Sequence, residues 1–182
     1  MSGTAVITLP SELFAPAESL YFEGKLDMDF LHTQVDDYRF VTPLSWQVNV
    51  TNTGGSFLVL GSVQVEAQTS CARCLSPVSL TLDGEIEAYF LENPDEDIPE
   101  EIGEDEINIL PENHEIDMVP LITQALLLAL PLVPLCSPDC KGICPHCGAN
   151  LNEGPCKCSE DKDEISDDNP FAVLKNIDFS DN

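Results

Sequence analysis

Trp46–Cys74 reads WQVNVTNTGGSFLVLGSVQVEAQTSCARC, and its pattern decides the fold. Trp46, Val48 and Val50 alternate with Gln47 and Asn49, the period of two that sends successive side chains to opposite faces of a strand. Asn52-Thr53-Gly54-Gly55 then supplies turn formers, and the chain returns from Phe57 to Thr69. On the return, Val63, Val65 and Ala67 fall on one face, with Gln64, Glu66 and Gln68 on the other. The run ends in Cys71-Ala72-Arg73-Cys74, a C-x2-C pair. Beyond it, Leu80 and Leu82, then Ile86, Ala88 and Phe90, read as a further strand interrupted at Asp83-Gly84. Together these runs predict an antiparallel sheet with a cysteine turn built into a hairpin tip.

Upstream, Ala5–Leu9 is a short β-prone run closed by Pro10, and Leu26, Met28 and Phe30 alternate with Asp27 and Asp29 as in a strand. Downstream, Asp117 fits an N-cap and Pro120 the first turn of a helix running to Leu130. Leu121, Ile122, Ala125, Leu126, Leu127, Leu128 and Leu130 take up nearly every side of it. Such a helix either lies in the core, the expectation here, or covers the sheet and offers its remainder to a partner. The fold class read from these elements is α+β: mainly antiparallel β-sheet covered by one buried helix, with zinc-knuckle loops. Residues 1–135 form the β-rich part with its helix. A cysteine-rich segment, 136–158, packs on it, and 159–182 is an acidic flexible tail with a short terminal helix.

Six of the eight cysteines fall in Cys136–Cys158, CSPDCKGICPHCGANLNEGPCKC. Cys136 and Cys140 are spaced C-x3-C, Cys144 and Cys147 C-x2-C, and Cys156 and Cys158 C-x-C. Each short pair can face one point, and eight thiols are the number two tetrahedral zinc sites require. Cys144, Cys147, Cys156 and Cys158 can close locally on one ion. Cys71 and Cys74 then join Cys136 and Cys140, tying the hairpin to the segment after the helix. A partition with Cys140 in the local loop, and Cys156 or Cys158 free, stays open.

Cys144-Pro145-His146-Cys147 also spells C-P-H-C, similar to the active site of a thiol-disulfide oxidoreductase, where a following helix lowers the first thiol's pKa. Here Gly148-Ala149-Asn150-Leu151-Asn152-Glu153-Gly154-Pro155 follows, full of turn formers and breakers. No H-x-E precedes a P-C-x-x-C as a zinc deaminase needs. Zinc held by four thiolates is closed, so its work is folding. His32, His114 and His146 lie in polar stretches or a knuckle turn, and nothing marks a catalytic triad or phosphate loop. The chain reads as a non-enzyme.

Its 182 residues carry seven Lys and Arg against 33 Asp and Glu, a formal charge of -26. A surface of that sign repels phosphate backbones and suits a basic protein partner. Glu92–Glu106, rich in acid, proline and glycine, is either a solvated loop or the contact for that partner. Residues 1–15 lack a basic leader with a long apolar run, and Ala125–Leu130 is too short to span a bilayer. The expected setting is a reducing cytoplasm, or an organelle matrix after loss of a presequence, where cysteines favour metal over disulfides. At the far end, Asn169-Pro170-Phe171-Ala172-Val173-Leu174-Lys175 reads as a capped helical turn. It either docks back on the core or serves as a tethered binding motif.

Four stretches carry a family resemblance. They are Cys71–Pro77 (CARCLSP), Leu128–Leu135 (LALPLVPL), Cys140–Asn152 (CKGICPHCGANLN) and Asn169–Leu174 (NPFAVL). Together, from about the first strands to the tail, they resemble the YceD family of large ribosomal RNA subunit accumulation proteins. The resemblance implies a bacterial or plastid factor needed for normal levels of large-subunit ribosomal RNA, with no known enzymatic activity. Family members do not all carry the full Cys144–Cys158 set, which implies a function that need not depend on it.

Overall fold

The computed structural model describes residues 5–34, 36–93 and 107–160. Its frame is one long hairpin. Strand β6 (Ser56–Ser70) pairs antiparallel with β7 (Pro77–Leu91) along their whole length, from Ser56 opposite Leu91 to Ser70 opposite Pro77. The other edge of β6 is shared. Strand β5 (Leu44–Asn52) takes Phe57–Gln64, and β4 (Asp37–Phe40) takes Ala67 and Gln68. Outside them lie β2 (Ser19–Leu26), paired with β5, and β3 (Phe30–His32), paired with β4. The exception to antiparallel pairing among the described residues is β8 (Ile107–Ile109), which runs parallel to β7.

The alternation read from sequence holds along the central strands. Trp46, Val48 and Val50, with Val63, Val65 and Ala67, are buried on one face, and Gln64, Glu66 and Gln68 are exposed on the other. Two details differ from expectation. The run from Leu26 to Phe30 is not one strand: β2 ends at Leu26, β3 begins at Phe30, and the buried position shifts to Leu31 while Phe30 is exposed. Nor is β7 interrupted at Asp83-Gly84. Both residues stay in the ladder, opposite Gln64 and Val63, and Gln64 Nε2 donates to Asp83 Oδ1 at 2.6 Å. Gly84 is there for close packing, because a Cβ on it would meet the carbonyl carbon and oxygen of Ala125 at 2.8 Å.

Helix α1 (Met118–Ala129) covers the apolar face of this sheet. Its start is fixed twice. Asp117 caps it, accepting from the Val119 amide at 2.9 Å, and β9 (Glu115–Asp117) pairs with β1 (Val6–Thr8). Met118, Ile122, Ala125 and Leu126 turn into the core with Leu13, Leu44, Phe57, Leu82 and Ile86. Only that side is buried. Leu127 and Leu128 face outward, Leu128 at 80 % exposure, so the helix covers the sheet without disappearing into it. Leu130 is already extended before Pro131, where the helix stops. Leu132 and Val133 then lie on the surface, and the carbonyl of Pro134 accepts from the Ala72 amide at 2.8 Å. This last bond brings the chain beyond the helix to the hairpin tip.

Candidate metal centre

The tip between β6 and β7 is a tight turn. The Cys71 amide donates to the Ser76 carbonyl at 2.8 Å, and the Leu75 amide donates to the Cys71 carbonyl at 2.9 Å. The Cys144 loop repeats both bonds, from the Cys144 amide to the Ala149 carbonyl at 2.8 Å and from the Gly148 amide to the Cys144 carbonyl at 2.9 Å. In each turn the two cysteines of a C-x2-C pair converge on one point, the local geometry of a zinc knuckle.

Each knuckle meets a second pair. Cys71, Cys74, Cys136 and Cys140 place their sulfurs within 4.8 Å of one another, and so do Cys144, Cys147, Cys156 and Cys158. Cys140 thus stands with the hairpin tip and not in the local loop. The Cys71–Cys140 sulfurs are 3.7 Å apart and the Cys74–Cys136 sulfurs 3.5 Å. A tetrahedral site with Zn–S bonds of about 2.3 Å has sulfur-to-sulfur edges of about 3.8 Å, whereas a disulfide is about 2.05 Å. All eight cysteines are free thiols, spaced like the corners of two tetrahedra. Thiolate sets of this kind fit a soft or borderline metal such as zinc.

Three neighbours complete the first tetrad, and the sequence reading passed over them. Arg73 Nη1 donates to the Cys140 carbonyl at 3.0 Å, clamping the hairpin tip to the later segment. Asn152 Nδ2 lies 3.3 Å from the Cys140 sulfur, while its Oδ1 accepts from the Lys141 amide at 2.8 Å. Asn150 Nδ2 reaches Ser76 Oγ at 3.4 Å, across the two knuckles. Read in sequence, Asn150-Leu151-Asn152 looked like turn formers alone. The available signal was two amide side chains spaced i, i+2 inside a cysteine loop, where each can bond locally.

Electrostatics follow from these bonds. Burial raises the Cys71 thiol, but the amides of Cys74, Cys136 and Arg73 outweigh it and lower the pKa to about 6. Amides of Cys147 and His146 lower Cys144 to about 6 as well. Cys136, hydrogen-bonded with Cys140 and Cys74, is raised to about 12, and Cys158, beside Cys147, is also raised to about 12. In each tetrad N–H donors favour the anionic form of one sulfur, while Cys136 in the first and Cys156 and Cys158 in the second are pushed toward the protonated form. A cation at the centre would relieve that crowding of charge.

No histidine ring belongs to either four-sulfur cluster. His32 Nδ1 is 2.7 Å from Asp37 Oδ1, and the His114 ring lies 4.5 Å from that of Phe14. Past Cys147 the chain makes turns and an Ile143–Asn150 bridge, without the helix an oxidoreductase motif requires. Of the acidic run Glu92–Glu106, residues 94–106 lie outside the described residues, as does the Asn169–Leu174 stretch.

Residues 59–178 match the family model described as large ribosomal RNA subunit accumulation protein YceD. The chain belongs to the YceD family. The match begins inside β6 and runs to residue 178. Both tetrads lie within it. Among relatives, a protein of Haemophilus influenzae named large ribosomal RNA subunit accumulation protein YceD is 34 % identical over 119 residues, 64 % of this chain and 63 % of that protein. A chloroplastic YCED homolog 1 of Arabidopsis thaliana is 30 % identical over 155 residues, 71 % of this chain and 48 % of its own length. An uncharacterized protein of Mycobacterium tuberculosis is 36 % identical over 112 residues, 62 % of this chain and 53 % of that protein. The chain spans about half the length of the curated relatives it matches. No solved structure matches. Among the described residues no helix is long and apolar enough to cross a membrane.

Proposed function

We propose that this YceD-family chain is a non-catalytic ribosome-biogenesis factor of the cytoplasm. It supports accumulation of large-subunit (23S) ribosomal RNA by binding a basic assembly or ribosomal protein. The observation that carries this reading is the use of all eight thiols in two closed four-sulfur clusters within the family match. Zinc at Cys71, Cys74, Cys136 and Cys140, and at Cys144, Cys147, Cys156 and Cys158, would have no open position for chemistry and would act as a staple. The first site joins the 1–135 domain to the 136–158 segment packed on it; the acidic 159–182 tail follows.

The charge supports a protein partner over naked RNA. A chain at -26 gains from lysine- and arginine-rich surfaces and loses against phosphates. The acids of Glu92–Glu106 supply much of this contact and keep a basic protein off stray RNA until delivery. Affinity capture of the full chain, with bound RNA and protein identified at low and high salt, tests the reading. Pre-ribosomal particles or a basic large-subunit protein should be recovered, and screening should weaken the association, given a Debye length of about 8 Å at physiological strength. Tight recovery of bare RNA, unchanged when the run is converted to Asn and Gln, overturns it.

A further inference from the structure

From Met118 to Leu135 the chain carries no charged residue, and seven of these 18 residues are exposed. Leu127, Leu128, Leu132 and Val133 lie close together in sequence on the outer side of the helix and the strap after it; Leu132 is fully exposed. An apolar patch of this kind needs a cover. A second copy of the chain would bring another -26 against the first. A basic partner finds no carboxylate within Met118–Leu135 to pair with.

One segment of the chain itself fits. Residues 161–182 lie outside the described residues, and within them Asn169-Pro170-Phe171-Ala172-Val173-Leu174-Lys175 has an apolar character bracketed by acids. The described chain stops at Glu160, beside the second cluster, and Phe171 follows eleven residues on, a reach of up to about 36 Å. We propose that Asn169–Lys175 docks on the patch of Leu127, Leu128, Leu132 and Val133, with Phe171 and Leu174 as its anchors. The acidic linker is repelled by most of this molecule's surface, and the uncharged face is where it meets least repulsion. Tethering helps as well: a short covalent connection supplies an effective concentration on the order of mM, so a contact too weak to form between separate molecules forms within one.

Methyl-labelled NMR on the zinc-loaded full chain tests the contact. Phe171 ring protons should give cross-peaks to the methyls of Leu128 and Leu132. Phe171→Asp with Leu174→Asp should shift those methyls, and those of Leu127 and Val133, while leaving the core methyls of Val48 and Ile122 in place. Leu128→Asp with Leu132→Asp should return the Phe171 ring signals to unstructured positions. Because the first pair of changes lies outside the described fold, it reports even where the second pair unfolds the protein. Absent cross-peaks with unmoved patch methyls overturn the proposal, and so do cross-peaks that vanish on dilution and therefore arise between molecules.

Discussion

Leu75 and Gly148 occupy the same place in two knuckles, each one residue past a C-x2-C pair and each with a positive φ, 61° and 72°. The amide of each closes its turn onto the carbonyl of the first cysteine. Left-handed backbone costs a residue with a Cβ about 1–2 kcal/mol and costs glycine almost nothing. The hairpin tip therefore holds strain that the later loop avoids.

Leu75→Gly should remove that strain. Leu75 is 65 % exposed, so little packing is lost, and stability should rise by up to about 1 kcal/mol. Leu75→Val, β-branched in the same backbone, should instead lose about 1–2 kcal/mol. Urea unfolding of the zinc-loaded protein measures both, and Gly148→Ala should fall on the unfavourable side.

Protein purified without chelator should contain close to two zinc per chain, and a strong chelator should loosen the domain, since structural zinc sites are worth roughly 10–16 kcal/mol near neutral pH. Loading should release protons. Cys136 and Cys158, raised to about 12, and Cys156, raised by its contact with Cys144, are protonated at neutral pH and must give up their protons to bind. Affinity should accordingly rise with pH, and calorimetry in two buffers of different ionisation enthalpy reads the proton count. A folded, metal-free preparation with eight reactive thiols would refute the zinc assignment.

The two clusters should differ in reach. Cys71 sits on the central hairpin and meets Cys140 across 69 residues of sequence, so Cys71→Ser should damage the whole domain. Cys156 meets Cys144 and Cys147 within its own loop, so Cys156→Ser should unravel that loop and leave the sheet's unfolding transition nearly unchanged. Comparing tryptophan fluorescence from buried Trp46 with zinc release separates the two effects.

Gly84→Ala should cost about 1–3 kcal/mol, as overpacking does where backbone is the obstacle. The added carbon would stand 2.8 Å from Ala125 backbone atoms, so α1 must lift from β7. Zinc content should stay the same, because both clusters lie beyond the affected crossing.

The central sheet, the helix cap and the cysteine pairs were legible because each rests on local pattern. Trp46, Val48 and Val50 announce their face by alternation, and Asp117 stands where a cap belongs. Gly84 misled because Asp-Gly is a common turn pair, and only the position of Ala125, 41 residues later, explains the glycine. The outer side of α1 misled for a related reason: Leu127 and Leu128 have the chemistry of core residues, and exposure depends on how many neighbours the fold supplies. Arg73 was unreadable too, since its acceptor is a main-chain carbonyl that any residue at 140 would offer.

Cys74 and Cys136 close the first cluster across 62 positions of chain, whereas Cys147 and Cys156 close the second across nine. Ring-closure entropy grows with the logarithm of that length, which puts the long closure about 2 kcal/mol above the short one. A chain refolding from the unfolded state can fill the second cluster as soon as its own short loop closes. The first must hold two thiols waiting on a finished hairpin until the strap beyond the helix arrives. Capture of that ion is thus a late folding event, and its kinetics report completion of the sheet.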